Sequence, residues 1–255
     1  MKIIVLTNEN SIYGKKVLSR ILEHGSKLNA IVVVKQDIGY FFRLFRSVMK
    51  RVGLLETIYF SLQNIISQIV SSFVKKSFVR EYGNFGVPVF YTHGTNTDAT
   101  KKLLRDLSPD IVILGQTGIV SKDILGIPRI GLLNAHPGIL PDYRGIDCPQ
   151  WAIFNGEPEK LGCSLHWVDT GVDTGNIIRS EKFDISRIRS MGNLKNDLDD
   201  LCAGVLAEEL SLMSEDEVPK GNPQDKTRGS QYYKMPLKKE ITVSTKLREI
   251  WDKDK

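Results

Sequence analysis

Apolar positions along this chain follow two spacings in alternation, and the alternation predicts the architecture. Lys2 to Leu6 is a continuous apolar run of strand character, Tyr13 to His24 places Val17, Leu18, Ile21 and Leu22 at helical spacing, and Ala30 to Val34 is β-branched again. Further along, Ala99 to Leu107 reads as a short helix and Ser-Pro-Asp leads into a strand at Ile111. Gly131 to Leu133 and Cys163 to Val168 are apolar runs of strand length. The Arg179 to Ser186 stretch continues as an edge strand. Asn193 to Leu212 is a long amphipathic helix that buries Leu194, Leu198, Leu201, Val205, Leu206 and Leu210 and leaves Asp197, Asp199 and Asp200 on a solvated face. Repeated strand-helix alternation implies an α/β fold: a Rossmann-like, mainly parallel sheet with helices on both faces.

One stretch breaks the rhythm. Between Gln36 and Gly86, Tyr40 to Val52 interleaves Phe41, Phe42, Leu44, Phe45, Val48 and Met49 with Arg43, Arg46, Lys50 and Arg51, the pattern of a basic amphipathic helix. Thr57 to Phe78 reads as a longer apolar-rich helix, but Gln63, Asn64 and Gln68 make it too polar for a membrane span. Three readings of this helical insertion stand: packing on the sheet, a lid or homodimer surface, and a peripheral membrane contact.

The chemistry-bearing residues follow the strands. The first strand-helix loop, T-N-E-N-S-I-Y-G, lacks the glycine fingerprint of dinucleotide binding. Residues Asn134 to Gly145 read N-A-H-P-G-I-L-P-D-Y-R-G, and Asp169 to Gly175 read D-T-G-V-D-T-G. Both loops follow apolar runs, so Asn134, His136 and Asp173 are expected at strand ends, where open α/β sheets bind ligands. An amine attacking a carbonyl carbon needs a donor for the developing oxyanion and a base for the proton it sheds. An amide and an imidazole supply these, and a carboxylate can hold the imidazole in its useful tautomer. His166, on the apolar run before the second loop, fits a core or supporting role better than a catalytic one.

The two loops together resemble those of the folate-dependent N-formyltransferases, the family of phosphoribosylglycinamide, methionyl-tRNA and sugar N-formyltransferases. The resemblance runs from about Pro109 to Ile178, and the L-P-x-x-R-G continuation from Leu140 to Gly145 looks more like the methionyl-tRNA and sugar branches. It implies catalytic roles for Asn134, His136 and Asp173, and N10-formyltetrahydrofolate as formyl donor. It also implies cofactor contacts from the segment after the Ile111 strand, at Leu114, Gln116, Gly118 and Ile119, joined by Asp169 and Gly171. Candidate substrate contacts are Asn8, Asn10, Ser11 and Tyr13, which serve equally well as turn and cap residues, and Arg144, whose guanidinium suits a phosphate or carboxylate or pins the loop. The expected reaction is formyl transfer to a primary amine of a small molecule, a nucleotide-linked amino sugar first. Methionyl-tRNA or glycinamide ribonucleotide formylation, formyltetrahydrofolate hydrolysis and a non-catalytic folate-binding module are the alternatives.

The expected organisation is a catalytic domain over residues 1–215 and a C-terminal loop and tail over 216–255. Gln231 to Pro236, Q-Y-Y-K-M-P, resembles a short motif after the catalytic part of some members and receives no catalytic role. Leu237 to Lys255 is too short for the separate β-barrel that methionyl-tRNA formyltransferase uses on tRNA. Composition changes this picture little. With 255 residues and 41% hydrophobic content the chain can bury a proper core. A formal charge of +5 suits phosphates on a small substrate, and with no RNA-binding signature no nucleic-acid partner is expected. Cys148, Cys163 and Cys202 with four scattered histidines form neither a metal nor a disulfide pattern, so no metal is expected. An opening strand in place of a leader points to the cytoplasm.

Overall fold

The computed structural model describes residues 1–35, 38–62, 82, 85–188 and 190–253. Its centre is a seven-stranded sheet in the order β3-β2-β1-β4-β5-β7-β8. The strands are β1 (Ile3–Asn8), β2 (Ala30–Lys35), β3 (Val89–His93), β4 (Ile111–Gly115), β5 (Gly131–His136), β7 (Gly162–Trp167) and β8 (Ile177–Lys182). The first five run parallel, and β7 and β8 turn antiparallel at one side. The mainly parallel sheet predicted from the apolar pattern is therefore present, with its direction reversed where the second functional loop begins.

Alternation along β1 sorts the two faces. Ile3 and Val5 point into one apolar cluster with Val17, Leu18 and Ile21 of α1 (Ile12–Glu23) and Ala203, Val205 and Leu206 of a long helix, Met191–Leu212. Ile4 and Leu6 point into a second with Leu104 and Ile124 of the helices Asp98–Leu107 and Lys122–Leu125. Both faces are covered, which is why the central strands are apolar without interruption. Ser11 and Thr97 cap their helices by accepting the Gly14 and Thr100 amide protons.

The insertion follows β2. Its first helix, α2, spans Ile38–Val52, and a second helical stretch occupies 54–62. Most of the helix expected over Thr57 to Phe78 lies outside the described residues. The insertion's described residues make contacts in two directions: the Arg51 guanidinium lies 3.9 Å from the Tyr233 ring centre and the Lys234 ammonium 4.6 Å from that of Phe60, while Tyr82 is buried in the first apolar cluster and its hydroxyl donates to the Lys15 carbonyl of α1 at 2.9 Å. Phe42 and Leu55 are exposed. Among the described residues no helix is long and apolar enough to cross a membrane.

The C-terminal stretch, expected as loop and tail, is built into the fold. A short strand β9 (Ser230–Tyr232) pairs in parallel with β6 (Tyr143–Gly145), and a final helix covers Leu237–Lys253. Met235, Val243 and Leu247 are buried in a third cluster with Tyr143, Cys148 and Ile153. The sequence reading missed this because the apolar positions here are few and separated by lysines. Their burial comes from a partner surface distant in sequence, which periodicity does not reveal.

Candidate active site

Asn134 and His136 stand two residues apart at the carboxyl end of β5, on the edge that pairs antiparallel with β7. Asp173 arrives from the loop between β7 and β8 with a left-handed backbone, φ +52°. The three residues that the two loops singled out are thus brought together. His136 Nδ1 lies 3.5 Å from Asp173 Oδ2, and Asn134 Nδ2 lies 3.2 Å from His166 Nε2, which in turn lies 3.6 Å from Asp173 Oδ1.

Hydrogen bonds fix the proton positions. His136 Nε2 faces the Tyr143 carbonyl oxygen at 2.9 Å, and a carbonyl only accepts, so Nε2 carries the proton and Nδ1 presents its lone pair towards Asp173. It is the Tyr143 carbonyl, then, rather than Asp173, that sets the tautomer. By the same argument His166 Nδ1 donates to the Trp167 carbonyl at 2.9 Å, leaving Nε2 to accept from the Asn134 amide. That bond orients the carboxamide and leaves its second N–H for a ligand. His166 is buried and in contact with Asn134.

Burial also tunes the charges. His136 is 3% exposed, and burial pushes its pKa below the ordinary histidine value, with Asp173 opposing the shift. It is therefore neutral at pH 7 and able to take a proton. For Asp173, burial alone would raise the carboxyl. His136, His166 and the Gly145 N–H, which donates to Oδ2 at 2.9 Å, outweigh it and hold the group well below the usual carboxylate range. A neutral imidazole facing a permanent carboxylate is the arrangement in which protonation of Nδ1 creates an ion pair.

The other expected site residues divide. Asn8 donates to the Gln116 carbonyl, and the Ser11 hydroxyl donates to Gln116 Oε1 at 3.0 Å, so the first loop and the segment after β4 form one wall. Gln116 and Gly118 both have left-handed backbones, Ile119 is 78% exposed, and Leu114 is buried beneath them. Asn10 is exposed at the turn. Tyr13 is buried, its hydroxyl 3.4 Å from the Ala135 carbonyl, which makes it a support of β5. Asp169 engages its own loop: Oδ1 accepts from the Gly171 amide at 3.0 Å and from Thr174 Oγ1 at 2.6 Å, and Oδ2 pairs with Lys226 at 3.1 Å. Arg144 Nε is buried without a hydrogen-bond partner among the described residues. Sequence reasoning missed the backbone groups, the Tyr143 carbonyl and Gly145 N–H, which no side-chain motif reports. Among the described residues no cluster of His, Cys, Asp and Glu could hold a metal ion.

The family described as formyl transferase matches residues 56–210, and the chain belongs to that family. It is 32% identical over 158 residues to the methionyl-tRNA formyltransferase of Syntrophus aciditrophicus, covering 62% of this chain and 49% of that one. To that of Kosmotoga olearia it is 34% identical over 169 residues, covering 66% and 52%. The chain spans about half the length of these curated relatives. Among solved structures, glycinamide ribonucleotide transformylase 1 of Symbiobacterium toebii superimposes with a TM-score of 0.59 at 18% identity, over 88% of this chain and 93% of that one. An N-formyltransferase of Helicobacter canadensis, solved with folinic acid and dTDP-3-aminofucose, gives 0.59 at 18% identity, over 97% and 80%. These two share the fold.

Proposed function

We propose that this chain transfers a formyl group from N10-formyltetrahydrofolate to the primary amine of a nucleotide-linked amino sugar. The observation that carries the transfer reading is the convergence of a free carboxamide N–H on Asn134, a neutral buried imidazole on His136 and an ionised Asp173 at one sheet edge. The donor supplies an activated formyl carbon when bound. The wall after β4 would hold its pterin ring, with the exposed Ile119 as an apolar face and Gln116 as a carboxamide edge beside backbone opened by Gly118. Asn134 donates to the oxygen on which negative charge develops. His136 Nδ1 takes the proton that the amine sheds, directly or through a water, and Asp173 stabilises the resulting imidazolium.

One observation favours a nucleotide sugar as acceptor. Arg144, on β6 next to Gly145, has its Nε buried without a partner among the described residues and supplies a cation suited to a diphosphate. Methionyl-tRNA is the second reading, favoured by the names of the sequence relatives.

Turnover of the formyl donor with a panel of acceptors separates them: nucleotide-linked 3-amino and 4-amino sugars, glycinamide ribonucleotide and charged initiator tRNA. Amine-dependent release of tetrahydrofolate with a sugar nucleotide is expected. Activity with tRNA alone would overturn the acceptor, and formate release without any amine would point to a hydrolase. With the preferred acceptor, Arg144→Ala is expected to raise KM by roughly ten- to hundred-fold with kcat little changed, because a phosphate anchor removed from the reacting atoms contributes to uniform binding. Arg144→Lys should restore little, since an ammonium lacks the bidentate fork.

A further inference from the structure

Asp173 reaches the site only because its loop turns through a left-handed residue that is not glycine, and something must hold that turn. The holder comes from the C-terminal segment. Gln224 Nε2 donates both to the Asp173 carbonyl at 3.0 Å and to the Gly175 carbonyl at 2.6 Å, so one carboxamide bridges the two ends of the turn. Its other atom, Oε1, is buried with no partner among the described residues, so those two carbonyls set the amide orientation.

Neighbouring residues fasten the same segment to both functional loops. Lys226 pairs with Asp169 at 3.1 Å, and Arg228 pairs with Asp142 at 3.1 Å. The Ser230 amide donates to the Asp142 carbonyl at 3.0 Å, and β9 then lies along Tyr143–Gly145. That strand carries the Tyr143 carbonyl that fixes the His136 tautomer and the Gly145 N–H that grips Asp173. Contact between the two is tight, since a Cβ at Gly145 would come within 2.1 Å of the Tyr232 carbonyl oxygen. Residues 224–232 therefore hold both the Asp173 turn and the strand that carries the Tyr143 carbonyl and the Gly145 N–H.

We infer that Gln224 is a positioning residue for Asp173, and that the 224–232 segment is a strap that completes the catalytic site rather than a linker leaving it. The inference deepens the formyl-transfer reading and rests on it only for its kinetic consequence. The groups facing His136 and Asp173 are each other, His166, the Tyr143 carbonyl, the Gly145 N–H and the Cys148 thiol, whose pKa burial pushes far up and which stays neutral. The charge that moves when the turn relaxes is therefore the Asp173 carboxylate.

The test replaces Gln224 with Met, which keeps the length of the side chain and removes both donors, and with Glu, which turns the donor into an acceptor facing two carbonyls. His136 is followed by NMR titration of its imidazole in the full chain, alongside thermal melting and formyl transfer. Loss of the two bonds is expected to lower kcat roughly ten- to hundred-fold with KM for the donor little changed. The His136 midpoint should move to lower pH, because the carboxylate that favours its proton has swung away, while most of the melting temperature is retained. A midpoint identical to wild type in the Met variant, which adds no charge, overturns the positioning role, whatever happens to the rate. If the wild-type chain transfers no formyl group, the function reading fails while the His136 titration still decides the inference.

Discussion

His136→Ala should lower amine-dependent formyl transfer by about 10²–10⁴-fold, the range for removal of a general base. The expectation follows from two facts about one ring. Nε2 is committed to the Tyr143 carbonyl, so proton transfer must use Nδ1, and burial keeps that nitrogen unprotonated at neutral pH. Single-turnover measurement with saturating donor separates this from a binding defect. A structural cost accompanies the kinetic one. The Tyr143 carbonyl loses its donor, which costs roughly 1–3 kcal/mol of stability, so the rate must be read well below the melting temperature. An Ala variant with near wild-type turnover would remove His136 from the mechanism. In the wild type, kcat/KM should fall with decreasing pH through a midpoint below the ordinary histidine value of about 6.5, since only the neutral ring can accept the proton.

The trio was legible in the sequence for a physical reason. Asn134 and His136 lie at i and i+2 on one strand, so they share a face, and the apolar runs before both loops place the polar residues at strand ends. The strands themselves were readable because β1, β2 and β4 are buried on both faces and so continuously apolar. What could not be read is what depends on backbone groups and distant pairing. The Tyr143 carbonyl and Gly145 N–H leave no side-chain signature, and Gln224 is one glutamine in a polar loop until its amide is seen bridging two carbonyls. The helix Leu237–Lys253 carries its few buried positions among exposed lysines, so its composition suggested a tail. Asp169 shows what a loop motif alone does not reveal: its carboxylate is engaged by the Gly171 amide, Thr174 and Lys226.

Asp173→Asn isolates charge from shape. The asparagine can still accept the Gly145 N–H through its oxygen, and the Gln224 bonds go to backbone carbonyls, so the loop keeps its turn. What disappears is the negative charge 3.5 Å from His136 Nδ1. The imidazolium formed when the amine sheds its proton then sits buried without a counter-charge, and turnover should fall by roughly 10²–10⁴-fold, comparable to loss of the base itself. His136 should titrate at still lower pH than in the wild type, because the group that raises its pKa is gone. Stability carries an independent signature. The folded-state pKa of Asp173 lies below its unfolded value, so its stabilising contribution is fully present above the unfolded value of about 3.9 and is lost as pH falls through the folded one. Urea unfolding should therefore show a stability gap between wild type and variant at pH 6–7, about two units and more above that value, and the gap should shrink in acid. A gap that stays constant between neutral and acid pH would mean that Asp173 is not held as an anion. The pairing with His136 would then lose its electrostatic basis.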